Sequence, residues 1–309
     1  MYKAAIIGAG KLGSSLGLYF FDEGYINLEG YYSRSEESAD YSAKLTNTKS
    51  FSSIKEIVDK CKIIFITTTD DQIINVWNKI KKYNLKNKII CHCSGSLNSE
   101  IFSKKDKDFY SLSMHPMLAV SSKENSYKDL DKAFFTLEGD KEAIEVISRN
   151  LTRLANPYKV IATRNKSGYH LSTVAISNMV VGLSYMASKI LENYGFTSKE
   201  SLEALENLAK KNMDNLFTNG PIDALTGPIE RADTNTIESH IKYLDSKELY
   251  KEKEIYIDMS LLLIDIARAK NPQRDYDDLE SELKELKKGS KNWKIQLWHF
   301  KRQKKMAKN

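Results

Sequence analysis

The chain has 309 residues, 41% of them hydrophobic, which is long enough for two domains of ordinary size and apolar enough to bury a core in each. Its net charge of +6 is unevenly placed: residues 287–309 hold nine lysines and arginines and no acid, so residues 1–286 carry a net −3, which argues against a nucleic-acid-binding surface on the main fold. Three cysteines (Cys61, Cys91, Cys93) are too few for a disulfide framework, no apolar run approaches membrane-spanning length, and the first residues enter a strand and not a signal peptide, so a cytoplasmic protein is expected.

An apolar run starting at Tyr2 ends at Gly8, and Gly8, Gly10 and Gly13 stand at G-x-G-x-x-G spacing ahead of a helical segment carrying Leu16, Tyr19 and Phe20. The order is strand, tight turn, helix. Gly8 permits the bend, Gly10 lets the backbone approach a pyrophosphate, and Gly13 lets the helix pack on the strand. The free amides at the helix start, around Lys11 and Leu12, would then hold the phosphates of a dinucleotide. Asn27 to Tyr32 reads as a second strand ending in Ser33-Arg34-Ser35, with no acid at its end. Arg34 between two hydroxyls suits a ribose 2′-phosphate and predicts NADP(H) over NAD; the bland alternative is an exposed arginine opening a helix.

Ser35 to Leu45 and Ile54 to Asp59 read as helices, with Ser50-Phe51 in a short strand between them. Ile63 to Ile66 is a continuous apolar run, as a parallel sheet covered on both faces requires; it ends in Thr67-Thr68-Thr69 and precedes a helix from Gln72 to Ile80. Lys88 to His92, Phe109 to Leu112, Lys132 to Leu137 and Tyr158 to Ile161 are further strands, with a helix from Lys141 to Leu154. This alternation predicts an α/β, doubly wound, Rossmann-like sheet whose ligands lie beyond the carboxyl ends of the strands. Three segments leave the sheet on that side: Thr67 to Asp70, Cys91 to Ser96, and Ser113 to Pro116 with His115. Ser94, Gly95 and Ser96 would expose backbone N–H groups to a substrate anion. Cys91 and Cys93 point to one face of their strand and His92 to the other, and further ligands at zinc spacing are missing, so no metal site is expected.

Beyond Thr163 the texture becomes all helical, at about 164–194, 198–217, 234–245, 248–270 and 275–288, with turns at Gly195, Gly220-Pro221 and Asn271-Pro272. The chain therefore divides into a cofactor domain over 1–162, an all-α substrate and dimerisation domain over 163–288, and a basic tail over 289–309, read as a solvated chain end. In the helix at 164–194, Lys166, His170, Thr173, Ser177 and Ser184 share one side, with Asn178 at its edge. Leu171, Val174, Ile176, Leu183 and Met186 occupy the other faces, so the helix should be mostly buried, its polar stripe turned either to an active site or to solvent. Thr226-Gly227-Pro228 followed by Arg231 and Asp233 makes a rigid turn able to aim a guanidinium at a carboxylate, unless Asp233 is simply an N-cap and Arg231 a surface charge.

Taken together, Gly8-x-Gly10-x-x-Gly13, His92-x-Ser94-Gly95-Ser96, His115-Pro116, Lys166-x-x-Tyr169-His170 with Asn178, and Thr226-Gly227-Pro228-x-x-Arg231-x-Asp233 with His240 resemble a bacterial family. That family joins a Rossmann-like domain to an α-helical domain of formerly unknown function and belongs to the 6-phosphogluconate dehydrogenase-like superfamily. The chain is similar to members that act as an alternative ketopantoate reductase in pantothenate synthesis. The resemblance implies an NADPH-dependent reductase of a small 2-oxo acid, working as a homodimer. Lys166 is the first choice of proton donor, with His170 beside it and Asn178 orienting the substrate; Ser94, Gly95, His115, Thr226, Arg231 and Asp233 are the other expected substrate contacts. One departure matters: ordinary ketopantoate reductases follow the catalytic lysine four residues later with asparagine, whereas here Lys166 is followed by His170, so either residue is open as the acid. A cyclic imine reductase resembling pyrroline-5-carboxylate reductase and a non-catalytic dinucleotide sensor stand as alternatives.

Overall fold

A computed structural model describes residues 1–21, 25–103, 105, 107–162 and 166–288; the basic tail from residue 289 lies outside these. The chain forms two compact units, Met1–Val180 and Val181–Asn309, each taken by itself below.

The first unit is the expected doubly wound sheet. Its elements are β1 (Tyr2–Ile7), α1 (Lys11–Tyr19), β2 (Ile26–Tyr32), α2 (Glu36–Leu45), β3 (Lys49–Ser50), α3 (Ile54–Lys60), β4 (Ile63–Ile66), α4 (Asp70–Ile80), β5 (Ile89–His92), β6 (Tyr110–Pro116), β7 (Phe135–Gly139), α5 (Lys141–Arg153) and β8 (Tyr158–Val160). The strands lie in the order β3-β2-β1-β4-β5-β6-β7-β8, and every neighbouring pair is parallel except β6 with β7. Chain direction across the sheet reverses at β1 and β4, the switch point where such folds bind ligands.

Successive residues of each strand enter opposite cores. Ile6, Phe65, Cys91, Leu112 and Leu137 fill one, and Ile7, Ile64, Ile66 and Ile90 the other. The second face changes character towards β6 and β7, where His92, Ser113, Thr136 and Glu138 are buried in place of aliphatic side chains. Two boundaries differ from expectation. β6 continues through His115 and Pro116, because its antiparallel pairing with β7 extends that far, so His115 sits on a strand and not in a departing loop. The strand expected from Lys132 begins only at Phe135, after a 3-10 segment over Ser126–Lys132.

The single helix expected over 164–194 is two: α6 (Lys166–Ile176) and α7 (Asn178–Glu192), interrupted at Ser177. Ser177 Oγ donates back to Thr173 O at 2.6 Å, a bond that competes with the helical ladder and bends it. The burial expected for this stretch is reversed. Lys166 is the buried residue of α6 and Ser188 that of α7, while Leu171 and Val181 are 58% and 70% exposed. Within Lys166–Glu192 an 18-residue window reaches a mean hydropathy of 1.4, enough by length and composition alone for a membrane span, although polar residues interrupt it throughout and the stretch breaks into two helices at Ser177.

Among its described residues the second unit is all helical, as expected. α8 (Ser198–Ala224) opens with a capping box between Thr197 and Glu200, and is interrupted at Gly220, whose φ of 80° precedes Pro221. α9 (Thr234–Ser246), α10 (Tyr250–Lys270) and α11 (residues 277–288) enclose a core of Ile237, Ile241, Ile257, Ile264, Leu279 and Leu283.

Candidate active site

The glycine turn is built as the spacing requires. Gly8 has φ 116°, and its amide is tied to Tyr32 O at 2.8 Å, which joins the turn to the end of β2. A Cβ on Gly13 would lie 2.0 Å from Gly8 O, so only glycine lets α1 approach the turn this closely. Thr67, at the end of β4, donates to Gly8 O at 2.6 Å across the switch point. Gly10 caps α1 with no side-chain hydrogen bond, and a Cβ there would meet no heavy atom within 4 Å. Open space therefore lies in front of the helix amides of exposed Lys11 and half-buried Leu12, and Thr68 Oγ1 beside it is buried without a partner. Free amides, room over Gly10 and an orphaned hydroxyl are what a diphosphate would satisfy, so these residues fit a dinucleotide.

Beyond β2, Arg34 is exposed and Ser35 caps α2, accepting from Ser38 N at 3.2 Å, while Thr69 caps α4. A cavity of about 560 Å³ lies between the start of α2 and the loop bearing Lys123. Lys123 Nζ donates to Ser38 Oγ at 2.8 Å, and Ser38 Oγ donates to Ala9 O at 2.8 Å, which brings this ammonium next to the glycine turn. No sequence signal marks Lys123, because it arrives from a loop 85 residues from its partner.

At the carboxyl ends of β5 and β6 the structure gathers Ser94, Gly95, His115, Lys166 and His170. Lys166, only 4% exposed, donates from Nζ to Ser94 O at 3.0 Å and also to Ser113 Oγ. Burial lowers its pKa below the ordinary lysine value, with the negative charge of Glu138 the largest opposing influence. His170, paired with Lys166 in the sequence reading, is not the principal cause of that shift. Gly95 lies where a Cβ would come within 2.8 Å of His170 Cδ2 and 2.9 Å of His115 Nε2. The two imidazoles thus pack against a glycine at a position where no larger residue fits. His115 is half-buried, and its pKa is pushed down to about 4 by burial and then by the charges of Lys166 and His170.

The anion nest expected at Ser94 to Ser96 is largely occupied from within. Ser94 N donates to His92 Nδ1 at 3.2 Å, and Ser96 N and Leu97 N both donate to Ser94 Oγ at 3.1 Å. Ser94 and Ser96 hydroxyls in turn donate to Asp70 at 2.8 and 2.6 Å. The loop's polarity rigidifies it and fixes the one carbonyl that receives Lys166. His92 is fully buried, with Nε2 3.1 Å from Asn98 O, so both ring nitrogens are engaged. Cys91 and Cys93 belong to the opposite core.

Asn178 is exposed at the start of α7, eight residues beyond His170 and past the break at Ser177, with its Oδ1 3.0 Å from Ser177 Oγ. Thr226, Arg231 and Asp233 belong to the second unit. There Gly227 adopts φ 101°, Asp233 caps α9 by accepting from Thr236 N at 3.1 Å, and Arg231 pairs with Asp233 at 3.9 Å. Sequence reasoning gave no role to Thr136, and none to Ser113, Tyr169 or Asp70 although they fall in stretches it singled out. The signal was weak, because a Ser or Thr on a strand is ordinary until it is seen to be buried.

The sheet topology and the glycine turn define a dinucleotide-binding domain of Rossmann type, followed along the chain by a helical domain. Residues 3–95 match the family described as NADP oxidoreductase, coenzyme F420-dependent, and residues 133–262 match a domain of unknown function, DUF2520. Together the two matches give the chain the two-domain composition of the family that the sequence resembles. No curated protein matches it. Among solved structures, it is similar to protein TM1727 from Thermotoga maritima, with 26% identity over 86% of this chain and 99% of that one and a TM-score of 0.69. It shares the fold of BF3122 from Bacteroides fragilis, provisionally assigned as an NADP oxidoreductase, at 20% identity over 85% and 98% of the two chains and a TM-score of 0.69. It also shares the fold of Plasmodium falciparum pyrroline carboxylate reductase with NADP bound, at 16% identity over 86% and 98% and a TM-score of 0.54.

Proposed function

We propose that the protein is an NADPH-dependent reductase of a small 2-oxo acid, with ketopantoate to pantoate the case to test first. The observation that carries this reading is the gathering of a buried ammonium, Lys166, with His115 and His170 around Gly95 at the ligand-binding edge of the sheet. NADPH, when bound, supplies a hydride to the carbonyl carbon. Lys166 spends two of its three N–H donors on Ser94 O and Ser113 Oγ, which leaves one to protonate the developing alkoxide, and burial makes it a stronger acid for that role. His170 borders the same space. Arg34 and Lys123 supply the positive charge for the ribose 2′-phosphate. The assignment of Asn178, Thr226, Arg231 and Asp233 to substrate rests on the sequence resemblance.

A cyclic imine reductase is the second reading, supported by the fold shared with pyrroline carboxylate reductase. NADPH consumption measured against a panel of 2-oxo acids and cyclic imines decides between them. Turnover of imines alone selects the second reading, and tight NADPH binding with no turnover indicates a dinucleotide sensor. We further propose a cytoplasmic homodimer with domain bounds near residues 162 and 288. The exposed apolar side chains of α8, with Leu208 and Phe217 at 69% and 74% exposure, support self-association, which light scattering would measure.

A further inference from the structure

β6 and β7 are antiparallel with His115 directly opposite Thr136, so both side chains rise from one face of the sheet at neighbouring positions. α6 lays Tyr169 across this pair. Thr136 Oγ1 donates to Tyr169 Oη at 2.9 Å, and Tyr169 Oη lies 2.7 Å from His115 Nδ1. The phenol oxygen accepts from Thr136, which leaves its own proton free to be donated to Nδ1. In that arrangement Nδ1 is an acceptor, and a neutral imidazole with an accepting Nδ1 carries its proton on Nε2. That nitrogen lies beside Gly95, where a Cβ would stand 2.9 Å away, so any larger residue there would crowd it. His92, by contrast, uses one nitrogen on Ser94 N and the other on Asn98 O and has nothing left to offer a ligand.

We propose that Tyr169, held by Thr136, is a positioning residue that fixes His115 in its Nε2–H tautomer, so that His115 presents a neutral N–H donor to an acceptor oxygen of the substrate. The donor complements a ketone or carboxylate oxygen. It opposes the N–H of a protonated cyclic imine, so the tautomer bears on substrate class. In its effect on turnover the inference rests on this cluster being the reduction site; the tautomer itself is a property of the protein alone.

The test is an imidazole nitrogen–proton correlation spectrum of the ¹⁵N-labelled full-length protein near neutral pH, with His115 assigned from the His115→Gln variant. The expected result is a protonated Nε2 and an unprotonated Nδ1. Tyr169→Phe should give mixed tautomers and lower kcat/KM roughly 10-fold, the scale of one oriented hydrogen bond, with no change in NADPH affinity. Thr136→Val should reproduce part of this loss and Thr136→Ser should restore the wild-type spectrum, which keeps the test intact if Tyr169→Phe does not fold. A wild-type His115 protonated at Nδ1, or a Tyr169→Phe protein that keeps the Nε2–H form, overturns the proposal. The expected tautomer with no turnover of any 2-oxo acid or imine would leave this inference standing and remove the proposed function.

Discussion

The ammonium of Lys166 donates to the backbone carbonyl of Ser94 at 3.0 Å, which fastens the first residue of α6 to the turn that follows β5. This one contact, 72 residues apart in sequence, turns a polar stripe into a candidate site. A buried cation held by a carbonyl and a hydroxyl is costly to keep, and such groups concentrate where chemistry needs them.

Lys166→Ala should therefore lower kcat by about 10²–10⁴-fold, the range for loss of a positioned acid, with little change in NADPH affinity. Steady-state kinetics and cofactor titration check both halves. Near-normal kcat would remove Lys166 from the chemistry, and a larger loss in His170→Ala would reverse the two roles.

Two glycines of the turn should fail in different ways. Gly13→Ala places a Cβ 2.0 Å from Gly8 O, so the fold must shift and the melting temperature should fall. Gly10→Val fills space that is open in the protein, so it should leave stability near wild type and weaken NADPH binding by at least about 10-fold, by displacing a phosphate from the helix amides. Equal effects of the two variants on melting temperature would contradict this division.

Arg34→Ala should weaken NADPH by about 10-fold or more and leave NADH nearly unaffected, since only NADPH carries the 2′-phosphate that a charge-assisted pair would hold. Lys123→Ala should shift the ratio in the same direction. Calorimetric titration with both cofactors measures it, and equal losses for NADH and NADPH would refute the assignment.

Stability should fall as the solution is acidified through the histidine range. His92 and His115 are both held down to about 4 by burial, against about 6.5 in an unfolded chain. Between those values the unfolded state binds protons that the folded state refuses, so stability is fully present above about pH 6.5 and declines until about pH 4. Each histidine contributes at most about 3 kcal/mol to that decline. Urea denaturation across this window checks the slope, which should be shallower in His92→Gln; a stability independent of pH from 7 to 4 would contradict it.

Much of the fold was legible because its signals are local. The glycine spacing is a steric requirement of one turn, the run Ile63 to Ile66 is apolar because both its faces are covered, and the change to helical periodicity after residue 163 follows from the loss of strands. Those patterns determined the Rossmann-like sheet, its dinucleotide-type turn and the helical second unit. The site was only half legible. Lys166, His170, Ser94, Gly95 and His115 could be nominated as residue types in suggestive places, but nothing local shows that β6 runs on past His115, that β7 returns antiparallel to set Thr136 opposite it, or that Tyr169 joins them. The burial of α6 was misjudged for the same reason: periodicity shows which residues share a face but not what that face meets. Here the sheet presents buried polar side chains, and so the lysine goes in while Leu171 stays out. Pairing between strands far apart in sequence, and the placing of one helix on the polar edge of the sheet, belong to the tertiary structure alone, because they depend on which surfaces remain uncovered after each element has formed.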